Sequence, residues 1–294
     1  MLKLVIPKGS LEEGTFNLFA QANLPIIRKS IRDYNGWIND PRIAEVMVLR
    51  PQEIPEYVDD GIFDLGVTGL DWIMERAKNV TIVDDLKFAK KSWNKVKIVL
   101  ACQSDNPINS AEKVLNKSRV VTEYPQLTKR FFRKLGIQVS IKLSYGATEP
   151  KVPKIADYLV DVTETGETLA VHNKKIIAVL LESSTKLIAN QESYKDPVKR
   201  QAIDEINSLL QGVIYAQSAS LIKMNVIQDN LDALLEEVPA MRAPTISQLQ
   251  IAGGEKWYAV ETVIQQKDLN RLIPLFKQLG ACDILELRLR KAIP

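Results

Sequence analysis

The sequence predicts an α/β protein of about two domains, and two patterns carry this prediction. Short apolar segments typical of strands alternate with amphipathic segments typical of helices from residue 2 to about residue 218. This order favours largely parallel sheets. The last 74 residues instead follow the order strand–helix–strand–strand–helix–strand, which is the ferredoxin-like unit. A chain of 294 residues has room for both parts, because one domain usually takes roughly 100–200 residues.

In the first 220 residues, each predicted strand is an apolar, partly β-branched run closed by a polar, glycine or proline turn. These strands span residues 2–6, 45–49, 64–68, 80–83, 96–102, 119–122, 139–143, 158–163 and 176–181. Helical spacing of apolar residues predicts helices over 54–58, 70–77, 125–135, 183–191 and 197–218. Ser10 followed by Glu13 has the spacing of a capping box and marks one further helix start.

The C-terminal part has four predicted strands and two predicted helices. The strands span residues 221–227, 243–251, 257–265 and 284–289, and the helices span 230–236 and 268–279. Residues 257–265 alternate between apolar and polar side chains, as a strand with one buried face should.

The composition excludes several kinds of chemistry. Lys and Arg total 39 against 36 for Asp and Glu, a net charge of +3 that is too small to indicate nucleic-acid binding. One histidine, His172, and two cysteines, Cys102 and Cys282, cannot assemble a Cys/His zinc site within one chain. No stretch approaches the roughly 20 apolar residues of a membrane span, and the first apolar run is shorter than the core of a signal peptide. We therefore expect a cytoplasmic protein without nucleic-acid or membrane partners.

Residues 161–169 form the strongest local feature and read Asp-Val-Thr-Glu-Thr-Gly-Glu-Thr-Leu. An apolar strand ends there, a turn follows, and a helix begins. Such a junction directs backbone N–H groups at one point, where the helix dipole favours an anion. Gly166 permits close approach, and Thr163, Thr165 and Thr168 add hydroxyl donors. Asp161 at the strand end is placed to contact sugar hydroxyls, so a phosphosugar is a natural ligand.

The same residues also have a plain structural interpretation, an N-terminal helix turn that contains ordinary threonines. Glu164 and Glu167 oppose phosphate binding unless a metal ion offsets their charge or their side chains point outward. The residues of this segment alone leave both interpretations open.

With this segment, the chain resembles the long form of the ATP phosphoribosyltransferases, the first enzymes of histidine biosynthesis, whose phosphoribosyl-diphosphate loop has this pattern. Further segments agree in order along essentially the whole chain. They are Leu-Arg-Pro-Gln-Glu-Ile-Pro-Glu-Tyr-Val at 49–58, Gly-Ile-Phe-Asp-Leu-Gly-Val-Thr-Gly at 61–69, Thr-Glu-Tyr-Pro-Gln-Leu-Thr-Lys-Arg-Phe at 122–131, Gly-Ala-Thr-Glu at 146–149, Ala-Asp at 156–157, Pro-Thr-Ile-Ser at 244–247 and Leu-Gly-Ala at 279–281.

One segment departs from the family pattern. Between Glu149 and Asp157 the chain is one residue shorter than usual and lacks the expected glycine and arginine. Lys151 or Lys154 is the candidate to supply positive charge toward pyrophosphate in their place.

The resemblance implies a two-lobed catalytic core like type-II periplasmic binding proteins, followed by a ferredoxin-like regulatory domain. We expect residues 1–101 and 191–220 in lobe I and residues 102–190 in lobe II. Residues 221–294 should form the regulatory domain that binds histidine. The family's reaction joins N1 of ATP to C1 of phosphoribosyl diphosphate with the help of Mg²⁺ bound through the diphosphate. Family members are homo-oligomers, dimers that associate into hexamers.

Site residues follow from the resemblance by position. The phosphoribosyl-diphosphate site should contain Asp161, Glu164, Thr165, Gly166, Glu167 and Thr168. ATP or diphosphate should meet Lys8, Arg50, Thr68, Gly69, Asp71, Tyr124 and Glu149, of which the first five lie at or after the carboxyl ends of predicted strands, where ligands of open α/β sheets bind. Thr245 is the candidate contact for histidine, and no catalytic residue is assigned. The rival hypothesis is a two-lobed small-molecule sensor or solute-binding protein without catalysis.

Overall fold

A computed structural model describes residues 1–76, 78–88, 95–250 and 254–293 of the chain. It divides into two compact units. The first unit comprises residues 1–19 and 24–207, and the second comprises residues 20–23 and 208–294. No helix in the described ranges is long and apolar enough to cross a membrane.

The elements follow one another in chain order. The first half contains β1 (Leu2–Pro7), α1 (Glu12–Gln21), β2 (Asn35–Gly36), β3 (Ile43–Leu49), α2 (Ile54–Asp59), β4 (Leu65–Gly69), α3 (Leu70–Arg76), β5 (Thr81–Asp85), β6 (Val96–Gln103), β7 (Arg119–Thr122), α4 (Pro125–Lys134) and β8 (Ser140–Leu143). The second half contains β9 (Tyr158–Thr163), α5 (Glu167–Val171), β10 (Lys174–Ser183), β11 (Thr185–Ala189), α6 (Gln191–Lys195), α7 (Pro197–Gln217), β12 (Ala219–Ile227), α8 (Gln228–Glu237), β13 (Thr245–Leu249), β14 (Trp257–Gln265), α9 (Gln266–Gln278) and β15 (Cys282–Arg288).

The first unit holds two sheets with one shared topology. Lobe I is the sheet β2-β3-β1-β4-β11-β5, and lobe II is the sheet β10-β6-β9-β7-β8. In lobe I the strands β3, β1 and β4 are parallel, and β11 lies antiparallel between β4 and β5. In lobe II the strands β8, β7 and β9 are parallel, and β6 lies antiparallel between β9 and β10. The predicted α/β, two-lobed core of the type-II periplasmic-binding-protein kind is confirmed.

The sheets place both crossings between lobes earlier than the predicted boundaries at 101/102 and 190/191. β6 begins at Val96 and belongs to lobe II, and β11, at Thr185–Ala189, belongs to lobe I. The predicted helix over residues 183–191 is therefore wrong. Leu187, Ile188 and Ala189 are fully buried between two neighbouring strands. A central strand buried on both faces lacks the alternation that identifies strands in a sequence.

The second unit contains the predicted ferredoxin-like arrangement. Its sheet has the order β13-β14-β12-β15, and every neighbouring pair is antiparallel. Alternate residues of β12 point into one core, where Ile222, Met224 and Val226 meet Val260 of β14 and Phe276 of α9. β13 is shorter than the predicted strand over residues 243–251, whose last residue lies outside the described ranges.

Asp64 joins the start of β4 to the helices that follow the second crossing. Its carboxylate accepts hydrogen bonds from the Lys3 backbone N–H at 2.8 Å, the Ser193 hydroxyl at 2.6 Å and the Lys199 ammonium at 2.7 Å. Burial opposes ionisation, but Lys199, Ser193 and the Lys3 N–H together hold the pKa of Asp64 below its ordinary value. A carboxyl whose pKa is lowered by folding stabilises the folded chain while it is ionised.

We expect Asp64→Ala to reduce the free energy of unfolding by about 2–4 kcal/mol, because it leaves three donors without their acceptor. The loss should be full at pH 7. It should shrink below pH 3.8, the ordinary pKa, as the pH falls through the lower pKa of the folded carboxyl. Urea unfolding followed by circular dichroism measures it. Asp60→Ala, at an exposed aspartate nearby, is the matched control and should change the midpoint little.

Candidate active site

A cavity of about 160 Å³ lies between the two lobes of the first unit. Lobe I, lobe II and the second crossing all contribute walls, so the cavity depends on both sheets being in place. The lining residues are Ser10, Leu11, Pro51, Gln52, Gly69, Asp71 and Trp72 from the first lobe, Val96, Glu123, Tyr124 and Val162 from the second, and Ser183, Ser184 and Thr185 from the crossing.

Asp71 and Tyr124, both predicted as site residues, meet at this cavity. The Tyr124 hydroxyl donates to Asp71 Oδ2 at 2.9 Å, and the Ser183 hydroxyl donates to Asp71 Oδ1 at 2.6 Å. Burial raises the pKa of Asp71 despite these two donors. Burial and the neighbouring Asp71 carboxylate raise the pKa of Tyr124 well above its ordinary value. The Tyr124 hydroxyl therefore keeps its proton and donates it in a hydrogen bond to the Asp71 carboxyl group.

Trp72 and Gly69 allow the close contact between Asp71 and Tyr124. The Tyr124 ring stacks on Trp72, with ring centroids 4.6 Å apart. A Cβ atom at Gly69 would come within 2.1 Å of Asp71 Oδ1, so only glycine allows the carboxylate to fold back over the end of β4. The predicted Gly69 therefore serves close approach within the protein as well as lining the cavity.

Thr68, Lys8 and Arg50 lie at the predicted edge of the sheet but not in the cavity lining. The buried Thr68 hydroxyl donates to the Pro51 carbonyl at 2.8 Å and so shapes the turn before α2. Lys8 and Arg50 directly follow the paired ends of β1 and β3. The Lys8 ammonium sits 3.9 Å from the Tyr34 ring centroid, and Arg50 is exposed.

The segment 161–168 has the predicted strand–turn–helix form. β9 ends at Thr163, α5 begins at Glu167, and Gly166 between them has a φ of 87°, a conformation that glycine adopts without steric penalty. The Gly166 N–H donates to the Thr163 hydroxyl at 2.9 Å. Thr165, Glu167 and Thr168 are exposed, and Glu164 is half-buried. The turn is internally braced by Thr163, whereas Thr165 and Thr168 face solvent.

Asp161 lies in β9, two residues before Thr163, in an acidic environment. Its Oδ1 accepts the Val162 N–H at 2.7 Å. Burial raises the pKa of Asp161 to about 6, and the nearby carboxylates Glu149 and Glu123 push it in the same direction. The structure thus brings the predicted residues Asp161 and Glu149 together. Among the described residues, no group of three or more acidic, histidine or cysteine side chains has the geometry of a metal site.

The altered segment that contains Glu149 also shows where its lysines lie. Lys151 is half-buried, and its ammonium donates to the Ser144 hydroxyl and to the Tyr145 carbonyl. Lys154 is exposed. Asp157 forms a double contact with the Arg119 guanidinium, which fixes the start of β7.

Thr245, the candidate effector contact, belongs to the second unit. It begins the edge strand β13, is exposed, and pairs with Glu261 of β14. The residues that line the cavity all belong to the first unit.

Sequence reasoning did not single out Gln52 or Thr185, which line the cavity with unpaired oxygens. Gln52 Oε1 and Thr185 Oγ1 are buried and have no hydrogen-bond partner in the described part of the chain. Gln52 lies in one of the family segments, and its position after Arg50 and Pro51 was the available signal. Thr185 could not be identified as a site residue from the sequence. Its strand lacks alternation, so the sequence predicts a helix there.

The fold and this site define a class: a two-lobed α/β protein with a polar and aromatic cavity between its lobes. Comparison with known proteins identifies the family within that class. A family model described as ATP phosphoribosyltransferase matches residues 50–212, and one described as HisG, C-terminal domain, matches residues 216–291. The chain belongs to the ATP phosphoribosyltransferase family, the pentosyltransferases of histidine biosynthesis.

Individual relatives agree over the full length. An ATP phosphoribosyltransferase from Pelotomaculum thermopropionicum is 45% identical over 100% of this chain and 99% of its own. One from Desulforudis audaxviator is 43% identical over the same shares. Among solved structures, the ATP phosphoribosyl transferase (HisG:HisZ) complex from Thermotoga maritima matches with a TM-score of 0.63 and 27% identity, over 73% of this chain and 99% of that one.

The raised pKa of Asp161 predicts that this carboxyl makes the folded chain less stable above pH 6 than at low pH. The folded carboxyl has a pKa of about 6 against an ordinary value of 3.8. The protonated group therefore favours the folded state at low pH, and this contribution is lost as the pH rises through about 6. Asp161→Asn should stabilise the chain by about 1–3 kcal/mol at pH 8 and by much less at pH 4.

Thermal unfolding at both pH values measures this effect. Asp157→Asn provides a control of opposite sign, because Arg119 lowers the pKa of Asp157 and its loss should slightly destabilise the chain at pH 8. Equal shifts for the two variants would contradict the electrostatic account of Asp161.

Proposed function

We propose that the chain transfers the phosphoribosyl group of phosphoribosyl diphosphate to N1 of ATP, giving phosphoribosyl-ATP and pyrophosphate. Family membership supports the two substrates. The observation that carries the assignment to this site is the braced turn 163–166 directly after Val162, which lines the cavity. A phosphosugar held at that turn would present its C1 toward the cavity between the lobes.

The reaction needs positioning more than a general base. The electron pair of adenine N1 forms the new bond to C1, and the diphosphate leaves with the pair of the C1–O bond. Positive charge builds on the ribose ring as the leaving group departs. Asp161 is the carboxylate placed to hold the ribose hydroxyls and to offset this charge when ionised. Much of the acceleration in such a transfer can come from holding the two reactants in line.

We assign the 5′-phosphate to Thr165, Gly166 and Thr168. Two of these residues expose hydroxyls, and the third allows close approach. Glu164 and Glu167 belong to the same turn and crowd it with negative charge. A phosphate dianion would therefore bind with its charge directed at hydroxyl and backbone N–H donors and away from these two carboxylates.

Mg²⁺ is proposed to enter with the diphosphate. The surroundings of Asp161 fit a cation, because Glu149 and Glu123 add to burial in disfavouring its ionised carboxylate. Mg²⁺ usually keeps several waters and binds through one or two carboxylates plus substrate phosphates. When bound, it would offset the charge of the leaving diphosphate. Asp161 and Glu149 are the residues proposed to hold it.

The cavity is proposed to take the adenine ring. Its volume of about 160 Å³ is comparable to cavities that bind a single aromatic ring. The stacked pair Trp72 and Tyr124 supplies an aromatic wall. Gln52 Oε1 is a free acceptor for an amino group, and the Thr185 hydroxyl can donate or accept. Lys8 and Arg50, at the carboxyl edge of lobe I, are assigned to phosphates that extend out of the cavity.

Turnover with ATP, phosphoribosyl diphosphate and Mg²⁺, followed as the rise in ultraviolet absorbance of the product, tests the proposal. Thr165→Val combined with Gly166→Ala should weaken phosphoribosyl-diphosphate binding about 10-fold or more. The pair removes one exposed hydroxyl and forces a side chain into the left-handed conformation. The KM for ATP should change little.

Calorimetry of phosphoribosyl-diphosphate binding provides a second measurement for the same variant. Thr163→Val is a useful comparison, because it removes the internal brace to the Gly166 N–H rather than an exposed hydroxyl. Absence of turnover in the unaltered chain would favour the sensor hypothesis. Unchanged phosphoribosyl-diphosphate affinity in the double variant would remove the loop assignment only.

Histidine is proposed to inhibit the enzyme by binding the second unit, with Thr245 as a contact. Hydrogen–deuterium exchange of the full chain with and without histidine tests this assignment. Protection should appear in residues 219–288, with the largest change near β13. Protection confined to residues 1–207 would contradict it.

The proposal also includes assembly from dimers to hexamers and a cytoplasmic location. Light scattering with and without histidine measures the assembly.

A further inference from the structure

We infer that Glu75 is a positioning residue: its carboxylate, carried by lobe I, caps the N-terminus of α4 in lobe II and so fixes Glu123 and Tyr124 at the cavity. This inference rests on the proposed function. Glu75 does not line the cavity, and the resemblance assigns it no role.

The first turn of α4 lacks a local cap. A helix leaves its first N–H groups without partners inside the helix. Tyr124 at the N-cap position offers no side-chain acceptor to them. Pro125 has no N–H, and the Thr128 N–H donates to the Tyr124 carbonyl at 3.0 Å. The N–H groups of Gln126 and Leu127 remain, and both lie on the side that faces lobe I.

Glu75 satisfies both of these groups. The Gln126 N–H donates to Glu75 Oε1 at 2.9 Å, and the Leu127 N–H donates to Oε2 at 2.8 Å. The carboxylate is buried, with a relative exposure of 5%. An ionised acceptor at a helix N-terminus is favoured by the helix dipole, and charge-assisted bonds of this kind are stronger than neutral ones. The carboxylate and the helix terminus therefore depend on each other.

Two further contacts join the same helices. Asp71, one turn before Glu75 on α3, accepts from the Tyr124 hydroxyl at 2.9 Å. The Arg130 guanidinium donates to the Met74 carbonyl. The three α3 residues that make these contacts lie at positions i, i+3 and i+4, on one face of the helix. We call the contacts of Asp71, Met74 and Glu75 with α4 the α3–α4 clasp.

The clasp acts on the cavity through the short segment before α4. Glu123 and Tyr124 line the cavity, and they are joined to Gln126 through Pro125 alone. If Glu75 loses its acceptor oxygens, the first turn of α4 is released and the two lining side chains lose their fixed position. A displacement of about 1 Å in a positioning group can cost on the order of 100-fold in rate.

The test compares Glu75→Ala, Glu75→Gln and the control Glu56→Ala in the full chain. Glu56 is a half-exposed glutamate of α2 in the same lobe, outside the proposed machinery. Glu75→Ala should raise the KM for ATP about 10-fold or more, because Tyr124 and Glu123 line the proposed adenine site. The KM for phosphoribosyl diphosphate should change less than the KM for ATP. Glu75→Gln keeps one acceptor oxygen and should lie between Glu75→Ala and the unaltered chain.

A purely structural role for Glu75 predicts a different result, namely fewer active molecules with both KM values unchanged, and that result would overturn the inference. Amide exchange at Gln126 and Leu127 supplies a readout that needs no activity. Both amides should exchange faster in Glu75→Ala than in Glu56→Ala, and unchanged exchange would also overturn the inference. If the unaltered chain shows no turnover, the proposed function fails, whereas normal turnover with an unshifted KM for ATP removes only the role of Glu75.

Discussion

The buried carboxylates of α3 are the constraint on which the arrangement of the first unit depends. Asp71 and Glu75 are both nearly inaccessible to water, and a buried carboxylate is costly unless hydrogen-bond donors replace its hydration. The donors come from the Tyr124 hydroxyl, the Ser183 hydroxyl and two backbone N–H groups at the start of α4. Apart from the crossing residue Ser183, they belong to lobe II. Separation of the lobes would take both backbone donors from Glu75 and the Tyr124 donor from Asp71, so polar contacts at the wall help to hold the cavity together.

The return of the chain to lobe I makes this geometry possible. Lobe II is continuous in the chain from β6 to β10, whereas lobe I takes its antiparallel strand β11 from beyond the second crossing. The second crossing carries Ser183, Ser184 and Thr185 past the end of the cavity. Because β10 ends at Ser183 and β11 begins at Thr185, the residues of this second crossing are held by a strand on each side. Ser183 can therefore hold Asp71, while the Thr185 hydroxyl stays unpaired and available to a ligand.

The sequence was sufficient for the elements whose patterns are local. The alternation in β14, the turn at Gly166 and the long amphipathic α7 all carry their signal within a few residues, and the α/β class follows from their order. β11 is not predictable as a strand, because burial on both faces removes the alternation on which strand prediction depends. The site divides in the same way. The turn 163–166 was visible as a motif, whereas the contact of Glu75 with α4 joins residues more than 50 positions apart and has no local pattern.

The electrostatics of the cleft argue for a ligand that brings its own cation. Asp161, Glu149 and Glu123 crowd one region, and burial already raises the pKa of Asp161 to about 6 before any ligand binds. Lys151, in the segment that departs from the family pattern, donates its ammonium hydrogen bonds to Ser144 and to the Tyr145 carbonyl. The free diphosphate would meet like charge here, whereas its magnesium complex would relieve the crowding. On the proposed function, the loss of the family's arginine in residues 149–157 then matters less than it would at a site that neutralises the diphosphate with protein cations alone. On the proposed function, stability and function would also conflict at Asp161, because the folded chain disfavours the ionised carboxylate that would offset the ribose charge and hold a magnesium complex.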